Sequence, residues 1–407
     1  MRRSTAVLSP DWNASNAARR CERTELLVLT NTPTPYRIPF FNALSDALKS
    51  HGAALRVLYC AMREPHRHWE LCLHEQQYPW MILGGWHPSI GSWNPHINPS
   101  IVAHVRRLRP TWILSAGAWN LPTVLLAAQG RLTGNAYRIF WSEGHERAVL
   151  HSHGLIAVAR RRALHAYDAF AVPNEASARF IRAEVGEHVR VLYLPNTVDD
   201  SFFKRATPAA RADARSRFGF SEGTRILVSV AQLERRKGIL ELTAAYEGLP
   251  DGLRSNTALV LIGDGALRPV LEARALTLRS GEIRIVGHLE RCGIRDWLWA
   301  ADAFVLATKR DPNPLSVIEA AFCALPLIVS RQAGNVNELV HSNVNGLVLE
   351  QLDQEYVTAV LRGFLMHPSE NWQAMGAQSA EIADRTFRRC HVAQHFVEQL
   401  MPLSLGA

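Results

Sequence analysis

The sequence predicts an α/β protein with two doubly wound domains, each built around a parallel sheet. Short apolar segments alternate along the chain with longer stretches that suit helices, which is the pattern of βαβ units. The chain has 407 residues, of which 47% are hydrophobic, so it can bury two separate cores. A polar, turn-rich stretch near the middle divides the strand candidates into two groups.

The strand candidates are runs rich in Val, Ile and Leu, as expected for strands that are buried on both faces. The first group is LLVLT (26–30), LRVLYC (55–60), TWILSA (111–116), YRIFWS (137–142), AFAVP (169–173) and VRVLYLP (189–195). The second group is RILVSV (225–230), ALVLIG (258–263), IRIVG (283–287), AFVLAT (303–308) and PLIVS (326–330). Each group predicts one sheet.

The domain boundary is predicted where the strand pattern stops. The segment PNTVDDSFFKRATPAARADARSRFG, which begins at Pro195, is polar and turn-rich and places the boundary near residues 197–206. The predicted parts of the chain are a basic N-terminal tail (1–23), a first domain (24–200), a second domain (201–386) and a C-terminal helix (387–407). Ligands of doubly wound sheets bind outside the carboxyl ends of the strands, so we expect a site in a cleft between the domains.

Charge and cysteine content limit the partners and the compartment. The formal net charge of +8 favours anionic partners such as nucleotides, anionic lipid head groups or nucleic acid. No apolar run of roughly 18 residues is present, and residues 1–23 lack the apolar core of a signal peptide. We expect a cytoplasmic protein, with peripheral contact at the inner membrane face as a further option. The scattered cysteines indicate neither a disulfide framework nor a zinc site: Cys21, Cys60, Cys72, Cys292, Cys323 and Cys390.

Two carboxylates flank a predicted helix start in RDPNPLSVIEAAFCALPLIVS (310–330). Residues from Leu315 onward suit a helix, and Pro314 precedes them at a position where a missing N–H costs nothing. Asp311 lies in the loop before the helix, and Glu319 lies one turn inside it. The amides at a helix start favour a phosphate, and carboxylates on either side favour hydroxyl groups. The segment therefore indicates a nucleotide-sugar site.

Several short segments between roughly residues 190 and 350 carry information through the order in which they occur. The segments are LPNTVDDSFF, VAQLERRKGILELTAAY, LVLIGDGALRPVLEAR, IRIVGHL, AADAFVLAT and DPNPLSVIEAAFCALPLIVS. In this order they resemble the retaining GT-B glycosyltransferases with an E-x7-E motif, the large family of group 1 glycosyl transferases. The resemblance implies a GT-B fold of two Rossmann-like doubly wound domains that face each other across a cleft. It also implies that the helix at 387–407 packs back toward the first domain.

The resemblance assigns roles to residues of the second domain, which would bind the nucleotide-sugar donor. Lys237, followed by Gly238, matches the lysine that contacts the donor diphosphate, where a compact cation offsets the charge of the leaving group. Glu319 matches the motif glutamate that holds the ribose. Asp311 matches the motif glutamate that holds the transferred sugar, and we expect both Lys237 and Asp311 to act in catalysis.

Three positions of this domain depart from the family pattern. Gln232 stands where the family has an arginine, which weakens donor binding unless Arg235 or Arg236 substitutes. Pro314 has no amide to donate, so the donor-binding contacts at the helix start are expected from Leu315, Ser316 and Val317. Asp311 is one methylene shorter than the usual glutamate, which indicates either a different sugar or a loosened site.

The first domain resembles the same family less closely and would bind the acceptor. TNTPTPYRIPFFNAL (30–44) follows the first strand, where the family often has a glycine-rich loop. Pro35, Tyr36 and Arg37 form a stiffer turn in its place, and we expect Arg37 to meet phosphate or acceptor.

A second acceptor-side segment, WSEGH (141–145), ends another predicted strand with Glu143 and His145. The family often places an active-site histidine near this point, so His145 is a catalytic candidate. An imidazole can donate to the transferred sugar or to the developing charge. The alternative is that His145 is a surface or capping residue.

Two further segments have alternative interpretations. GDGALR (263–268) resembles a dinucleotide fingerprint, but Arg268 replaces the third glycine, so an ordinary strand-to-helix turn is favoured. The stretch 64–100 is rich in histidine and tryptophan, and it could stack on acceptor sugars, enter a membrane interface or form a mobile loop. Its histidines lack the spacing of metal ligands. Its tryptophans are Trp69, Trp80, Trp86 and Trp93.

Two basic clusters, RRLR (106–109) and RRR (160–162), are each interpreted as a solvated helix face. Contact with anionic lipid is the functional alternative for both clusters.

Together these observations predict a retaining glycosyltransferase that moves a sugar from a nucleotide-sugar donor to a saccharide, lipid-linked or small-molecule acceptor. The donor is a co-substrate, and no cofactor, metal or nucleic acid is expected. The sequence lacks a D-x-D triplet for a metal-bound diphosphate. One alternative is a nucleotide-sugar epimerase on the same fold. The other is a non-catalytic nucleotide-sugar-binding protein, which the departures at Gln232, Asp311 and Pro314 would support.

Overall fold

The structure is a computed structural model that describes residues 3–12, 24–64, 73–89, 94–146 and 153–403. The chain divides into two compact units. The first unit combines the two ends of the chain, Met1–Thr197 and Arg389–Ala407, and the second unit is Val198–Arg388.

The first unit contains an eight-stranded sheet in the order β10-β9-β8-β7-β3-β4-β5-β2. Its strands are parallel except for β2, which pairs antiparallel with β5, and a separate antiparallel pair joins β1 to β6. The order reverses on either side of β3, as in a doubly wound sheet. The strands are β1 Arg3–Ser4, β2 Val7–Leu8, β3 Glu25–Thr30, β4 Ala54–Tyr59, β5 Trp80–Ile82, β6 Gly85–Trp86, β7 Trp112–Ala116, β8 Tyr137–Trp141, β9 Ala169–Val172 and β10 Arg190–Tyr193.

Helices cover both faces of this sheet, which is why its central strands are apolar on both sides. Leu26 and Val28 of β3 lie in one buried cluster, whereas Leu27 and Leu29 lie in another. The helices that precede the second unit are α1 Arg37–Ser50, α2 Ile101–Leu108, α3 Pro122–Ala127, α4 Gly130–Thr133, α5 Leu155–Leu164 and α6 Glu175–Val185.

The start of the chain differs from the predicted basic tail. Residues 7–8 form an edge strand of the main sheet, and residues 3–4 pair with β6. Trp12 is buried in a core cluster, and the guanidinium of Arg56 lies 5.1 Å from the centre of its ring. Residues 3–12 are therefore part of the first unit, while residues 13–23 lie outside the described part of the chain.

The second unit contains a six-stranded parallel sheet in the order β13-β12-β11-β14-β15-β16. The order reverses between β11 and β14, so this sheet is also doubly wound. Its strands are β11 Arg225–Val230, β12 Thr257–Ile262, β13 Glu282–Gly287, β14 Ala303–Leu306, β15 Leu327–Ser330 and β16 Gly346–Leu349. Its helices are α7 Pro208–Arg217, α8 Ile239–Glu247, α9 Asp251–Arg254, α10 Arg268–Thr277, α11 Arg291–Ala300, α12 Leu315–Phe322, α13 Val336–Leu339, α14 Gln354–Met366 and α15 Ser369–Phe387.

The last helix, α16 (Arg389–Leu400), follows the second unit in sequence but packs within the first. Phe396 and Leu400 share a buried cluster with Phe41 and Leu44 of α1. Gln399 accepts a hydrogen bond from the Tyr193 amide at 2.7 Å and donates one to the Tyr193 carbonyl at 2.9 Å. These bonds attach the helix to β10, the edge strand of the sheet.

Every strand predicted from the sequence is present, with bounds that differ by at most two residues at either end. The fold class is therefore confirmed as two parallel-sheet, Rossmann-like domains. In the described ranges, no helix is both long and apolar enough to cross a membrane. The cysteines of those ranges, Cys60, Cys292, Cys323 and Cys390, are free.

Candidate functional site

A tight turn at the carboxyl end of β11 carries the lysine that the sequence singles out. Residues Arg235–Lys237 form one turn of 3-10 helix, and α8 starts immediately after Gly238. Gly238 has a φ of +65°, and a Cβ at this position would lie 1.7 Å from the Ala307 carbonyl oxygen. Only glycine fits this approach.

The same turn is attached to the loop that follows β14. The Arg236 carbonyl accepts hydrogen bonds from the amides of Lys309, at 2.9 Å, and Arg310, at 3.2 Å. The Thr308 hydroxyl donates to that carbonyl at 3.2 Å. The ends of two neighbouring strands thus hold the turn in one position, as expected for a site at the switch point of a doubly wound sheet.

This attachment brings Lys237 to Asp311. The Lys237 Nζ forms an ion pair with the Asp311 Oδ2, although the two residues are 74 positions apart in sequence. Each of the two side chains is only 11% exposed. The other carboxylate oxygen of Asp311 accepts from the Asn313 amide at 3.3 Å. An ammonium group has three donors, so Lys237 retains two for other oxygen atoms after bonding Asp311.

The start of α12 is fixed by backbone contacts on both sides of Pro314. The Asn335 side-chain amide donates to the Pro314 carbonyl at 3.1 Å, and the Gly334 amide donates to the Asp311 carbonyl at 2.9 Å. A Cβ on Gly334 would lie 1.8 Å from the Pro312 carbonyl oxygen, so this position also requires glycine. The first amides of α12 belong to Leu315, Ser316 and Val317 and have no acceptor within the helix.

Glu319 is buried one turn into α12, with 2% of its surface exposed. Val317, Ile318 and Ala320 to Phe322 of the same helix are also buried. Burial, together with the negative charge of Glu319, raises the pKa of the Cys323 thiol well above its usual value. Carboxylates are seldom buried unless they are paired or functional, so its burial distinguishes Glu319 from a surface acid.

The arginines beside Gln232 have different surroundings. Arg236 donates to the Glu234 carboxylate at 2.7 Å and to the side-chain carbonyl of Gln232. Its guanidinium is thus held at Gln232, and its charge is offset by Glu234. Arg235 is exposed and forms no ion pair within the described ranges. Arg235 and Arg236, the two residues that could substitute for the missing family arginine, therefore both lie on the turn Arg235–Lys237.

The segment GDGALR forms the turn between β12 and α10. Asp264 accepts a hydrogen bond from the Gly265 amide at 2.7 Å and from the Arg268 guanidinium at 2.9 Å. These bonds lower the pKa of Asp264, the amide having the largest effect. The Asp264 carbonyl accepts from the Leu233 amide at 2.9 Å. The bonds of this segment are those of an ordinary strand-to-helix turn.

In the first unit, the structure brings Arg37 and Glu143 together. The Arg37 guanidinium donates to the Thr30 hydroxyl at 2.6 Å and to Glu143 at 3.4 Å, and it lies 4.7 Å from the centre of the Trp141 ring. Asn196 also donates to Glu143, at 3.1 Å. All of these groups lie at or beyond the carboxyl ends of strands, where ligands of such sheets bind.

The remaining residues predicted for the acceptor side lie around this pair. Pro35 and Tyr36 are partly exposed and precede the first turn of α1. His145 follows β8 as predicted, but it is 4% exposed. Its imidazole is therefore inside the first unit, and it is not the surface residue that the alternative interpretation expected.

Sequence reasoning missed a chain of polar contacts that starts at the loop after β3. The Asn31 side-chain amide donates to Glu64 at 3.4 Å, and the same Glu64 oxygen lies 3.2 Å from the His96 Nε2. The Nδ1 atoms of His96 and His87 are 3.0 Å apart, and the His87 Nε2 lies 2.9 Å from the Ser4 hydroxyl. No residue spacing indicated these contacts, because they join four separate segments of the chain.

The structure assigns parts of residues 64–100 to strands and to these polar contacts. Trp80 lies in β5 and Trp86 in β6, whereas Trp69 and Trp93 lie outside the described residues. Within the described ranges, no group of three or more His, Cys, Asp or Glu side chains could hold a metal ion.

Comparison with known families identifies the second unit. Residues 210–381 match the family model described as Glycosyl transferases group 1. The second unit belongs to this glycosyltransferase family. Its turn at Lys237 and its loop at Asp311 both lie within the matched residues.

Individual proteins agree with this assignment. The chain is 26% identical over 263 residues to the GDP-mannose-dependent monoacylated alpha-(1-6)-phosphatidylinositol monomannoside mannosyltransferase of Corynebacterium glutamicum, covering 63% of this chain and 68% of that protein. It is 27% identical over 274 residues to a glycogen synthase of Mycobacterium tuberculosis, covering 61% and 64% respectively. The chain therefore spans about two thirds of the length of these relatives.

The fold of the whole chain is that of the GT-B glycosyltransferases. HepE of Anabaena, solved in complex with UDP, superposes with a TM-score of 0.72 at 16% identity, covering 93% of this chain and 100% of that structure. At this identity, the likeness concerns the fold alone.

Proposed function

We propose that this protein is a retaining glycosyltransferase that moves a sugar from a nucleotide-sugar donor to a hydroxyl group of a saccharide, lipid-linked or small-molecule acceptor. The observation that supports it most is the ion pair between Lys237 and Asp311. It joins the two segments to which the family resemblance assigns the donor diphosphate and the transferred sugar, within a glycosyltransferase domain.

The donor side follows from the chemistry of the second unit. The two remaining donors of Lys237 and the first amides of α12, at Leu315 to Val317, bind the diphosphate and stabilise the charge that grows as it leaves. The Ser316 hydroxyl adds a further donor. The buried Glu319 holds the ribose hydroxyls, and Asp311 accepts from a hydroxyl of the transferred sugar.

The transfer replaces one bond to the anomeric carbon with another. The bond from that carbon to the diphosphate oxygen breaks, and its electron pair leaves with the diphosphate. The acceptor oxygen forms the new bond on the same face of the sugar and gives its proton to the departing diphosphate oxygen. The first unit binds the acceptor through the Arg37 and Glu143 pair, with Pro35 and Tyr36 beside it. The imidazole of His145 donates to the transferred sugar or to the developing charge.

No divalent metal takes part in the proposed transfer. Lys237 and the positive end of the α12 dipole supply the charge that a metal-bound diphosphate would otherwise require. The nucleotide sugar is the co-substrate.

A transfer assay tests this function. The full chain is incubated with UDP-, GDP-, ADP- and TDP-sugars and a panel of saccharide, lipid-linked and small-molecule acceptors, with and without EDTA. Release of the nucleoside diphosphate is measured, and proton NMR gives the anomeric configuration of the product. We expect transfer with retention that survives EDTA. Inversion would contradict the proposed stereochemistry, and a requirement for Mg²⁺ or Mn²⁺ would contradict the donor site.

The same assay separates the two alternatives. Interconversion of two nucleotide sugars without an acceptor would show an epimerase. Binding of a donor with neither transfer nor hydrolysis would show a non-catalytic protein. Either result would overturn the proposed function.

A further inference from the structure

Helix α5 exposes large aliphatic side chains on its first turn. Leu155 is 87% exposed, Ile156 48% and Val158 61%. The opposite side of the helix is buried through Ala157 and Leu164, so the exposed residues form an outward face. Adjacent exposed aliphatic side chains next to charged residues form the kind of surface that can contact an apolar partner.

The last turn of the same helix is basic. Arg160 is buried and forms an ion pair with Glu184 at 2.9 Å, so its role is structural. Arg161 and Arg162 are exposed, and Arg161 lies 3.6 Å from Glu184. The outward side of α5 is therefore apolar in its first turn and positively charged in its last turn.

The second basic cluster of the sequence lacks this combination. On α2, Arg106 and Arg107 are exposed, but the described large aliphatic residues of that helix are buried or partly buried. Arg106 donates to the Leu132 carbonyl at 2.6 Å. The cluster at 106–109 is thus a solvated helix face, and α5 is the basic helix with an apolar surface.

The position of α5 relates this surface to the acceptor side of the first unit. The loop that leads into α5 leaves the carboxyl end of β8 and carries Glu143. Arg37, the partner of Glu143, begins α1 after the parallel strand β3. Helices that follow parallel strands start at the same edge of the sheet, so the first turn of α5 and the Arg37–Glu143 pair share that edge.

We infer that α5 docks the first unit on an anionic lipid surface. Leu155, Ile156 and Val158 enter the apolar side of the interface, and Arg161 and Arg162 contact lipid phosphates. A second copy of the chain fits less well, because α5 exposes arginines but carries no carboxylate that could pair with the arginines of the copy. Docking in this way presents the acceptor-side edge to the membrane, and it does not depend on the donor chemistry proposed above.

Vesicle co-sedimentation tests the inference with the full chain. We expect binding about tenfold or more tighter to phosphatidylcholine vesicles containing phosphatidylglycerol than to pure phosphatidylcholine, with loss of this preference at high salt. The triple variant L155S/I156S/V158S should bind anionic vesicles about tenfold less tightly or weaker. R161Q/R162Q should lose about fivefold for each arginine.

A matched control uses the exposed aliphatic residues of α10 in the second unit. The variant V270S/L276S removes comparable exposed surface and should bind like the parent. Unfolding curves confirm that each variant is folded. Three results would overturn the inference: no binding of the parent, equal binding of the parent and L155S/I156S/V158S, or a dimer in sedimentation velocity that this triple variant converts to a monomer.

Discussion

The two units hold their predicted site residues in different ways. In the second unit, Lys237 and Asp311 form a mostly buried pair, and backbone hydrogen bonds fix both segments that carry them. In the first unit, the Arg37–Glu143 contact is longer, at 3.4 Å, and its side chains are 26% and 39% exposed. A fixed pair suits a ligand part that does not vary, whereas an exposed pair can adjust to different partners. We infer that the second unit is organised for one donor and that the first tolerates more variation in its ligand.

The largest effect is expected at Lys237. Lys237→Ala removes a charge that stabilises the leaving diphosphate, so kcat/KM should fall by roughly 10²-fold or more. Lys309→Ala is the matched control, because Lys309 lies on the neighbouring loop and pairs with Glu241 at 2.5 Å. Its activity should stay within a few-fold of the parent. Steady-state kinetics and unfolding curves are measured for both, since Lys237→Ala leaves a mostly buried carboxylate unpaired. A folded Lys237→Ala enzyme of near-parental activity would remove this lysine from the site.

The next effect separates the two carboxylates of the second unit. Asp311→Asn should lower kcat more than it raises the donor KM, because Asp311 orients the reacting sugar. Asp311→Glu should change the preference between two donor sugars on one base. The control is Asp264→Asn, which removes a carboxylate from another loop of the same unit. If Asp311→Asn leaves turnover and sugar preference unchanged, Asp311 is only a loop residue.

Glu319→Gln should act chiefly on donor binding. Hydrogen bonds to a ribose are made equally before and during transfer, so the donor KM should rise by the equivalent of about 1.5 to 3 kcal/mol while kcat changes less. Separate measurement of kcat and KM decides this. A loss confined to kcat would contradict the assigned role.

A smaller effect is expected in the first unit. Arg37→Ala should raise the acceptor KM by about tenfold and leave the donor KM unchanged, because an exposed charged contact contributes less than a buried one. Lys49→Ala removes a cation from the other end of the same helix and should have no effect. A change in the donor KM for Arg37→Ala would contradict the division of ligands between the units.

The smallest effect concerns the histidine pair of the first unit. Burial, and then the neighbouring His96, lower the pKa of His87 below its ordinary value. The folded state therefore binds fewer protons than the unfolded state, and the stability that His87 contributes above about pH 6.5 is lost as the pH falls. The expected loss is less than about 1 kcal/mol, because solvent screens the partly exposed ring. Between pH 7.5 and 5.5, the melting temperature of His87→Asn should fall less than that of the parent or of the exposed-site control His188→Asn. An equal decrease in melting temperature for His87→Asn and for the parent would contradict this contribution of His87.

The sequence predicted the central strands because each is a continuous apolar run buried on both faces, as in RILVSV of β11. It missed β16, whose four residues include a glycine, and the strands of two or three residues, β1, β2, β5 and β6, which are too short to show a period. It singled out Lys237 and Asp311 through the family resemblance, and the structure joins them in an ion pair. It could not reveal the contacts of Glu64, His96 and His87, because these depend on how distant loops pack.

A thermal-shift panel tests most directly the central claim, that the second unit binds a nucleotide sugar through Lys237. The parent, Lys237→Ala and Lys309→Ala are each melted with UDP-, GDP-, ADP- and TDP-sugars. At 100 times its dissociation constant, a bound donor should stabilise the parent by about 2.7 kcal/mol. We expect sugars of one base to stabilise the parent and Lys309→Ala, with a clearly smaller shift for Lys237→Ala. No shift with any donor, or the same shift in all three proteins, would contradict the claim.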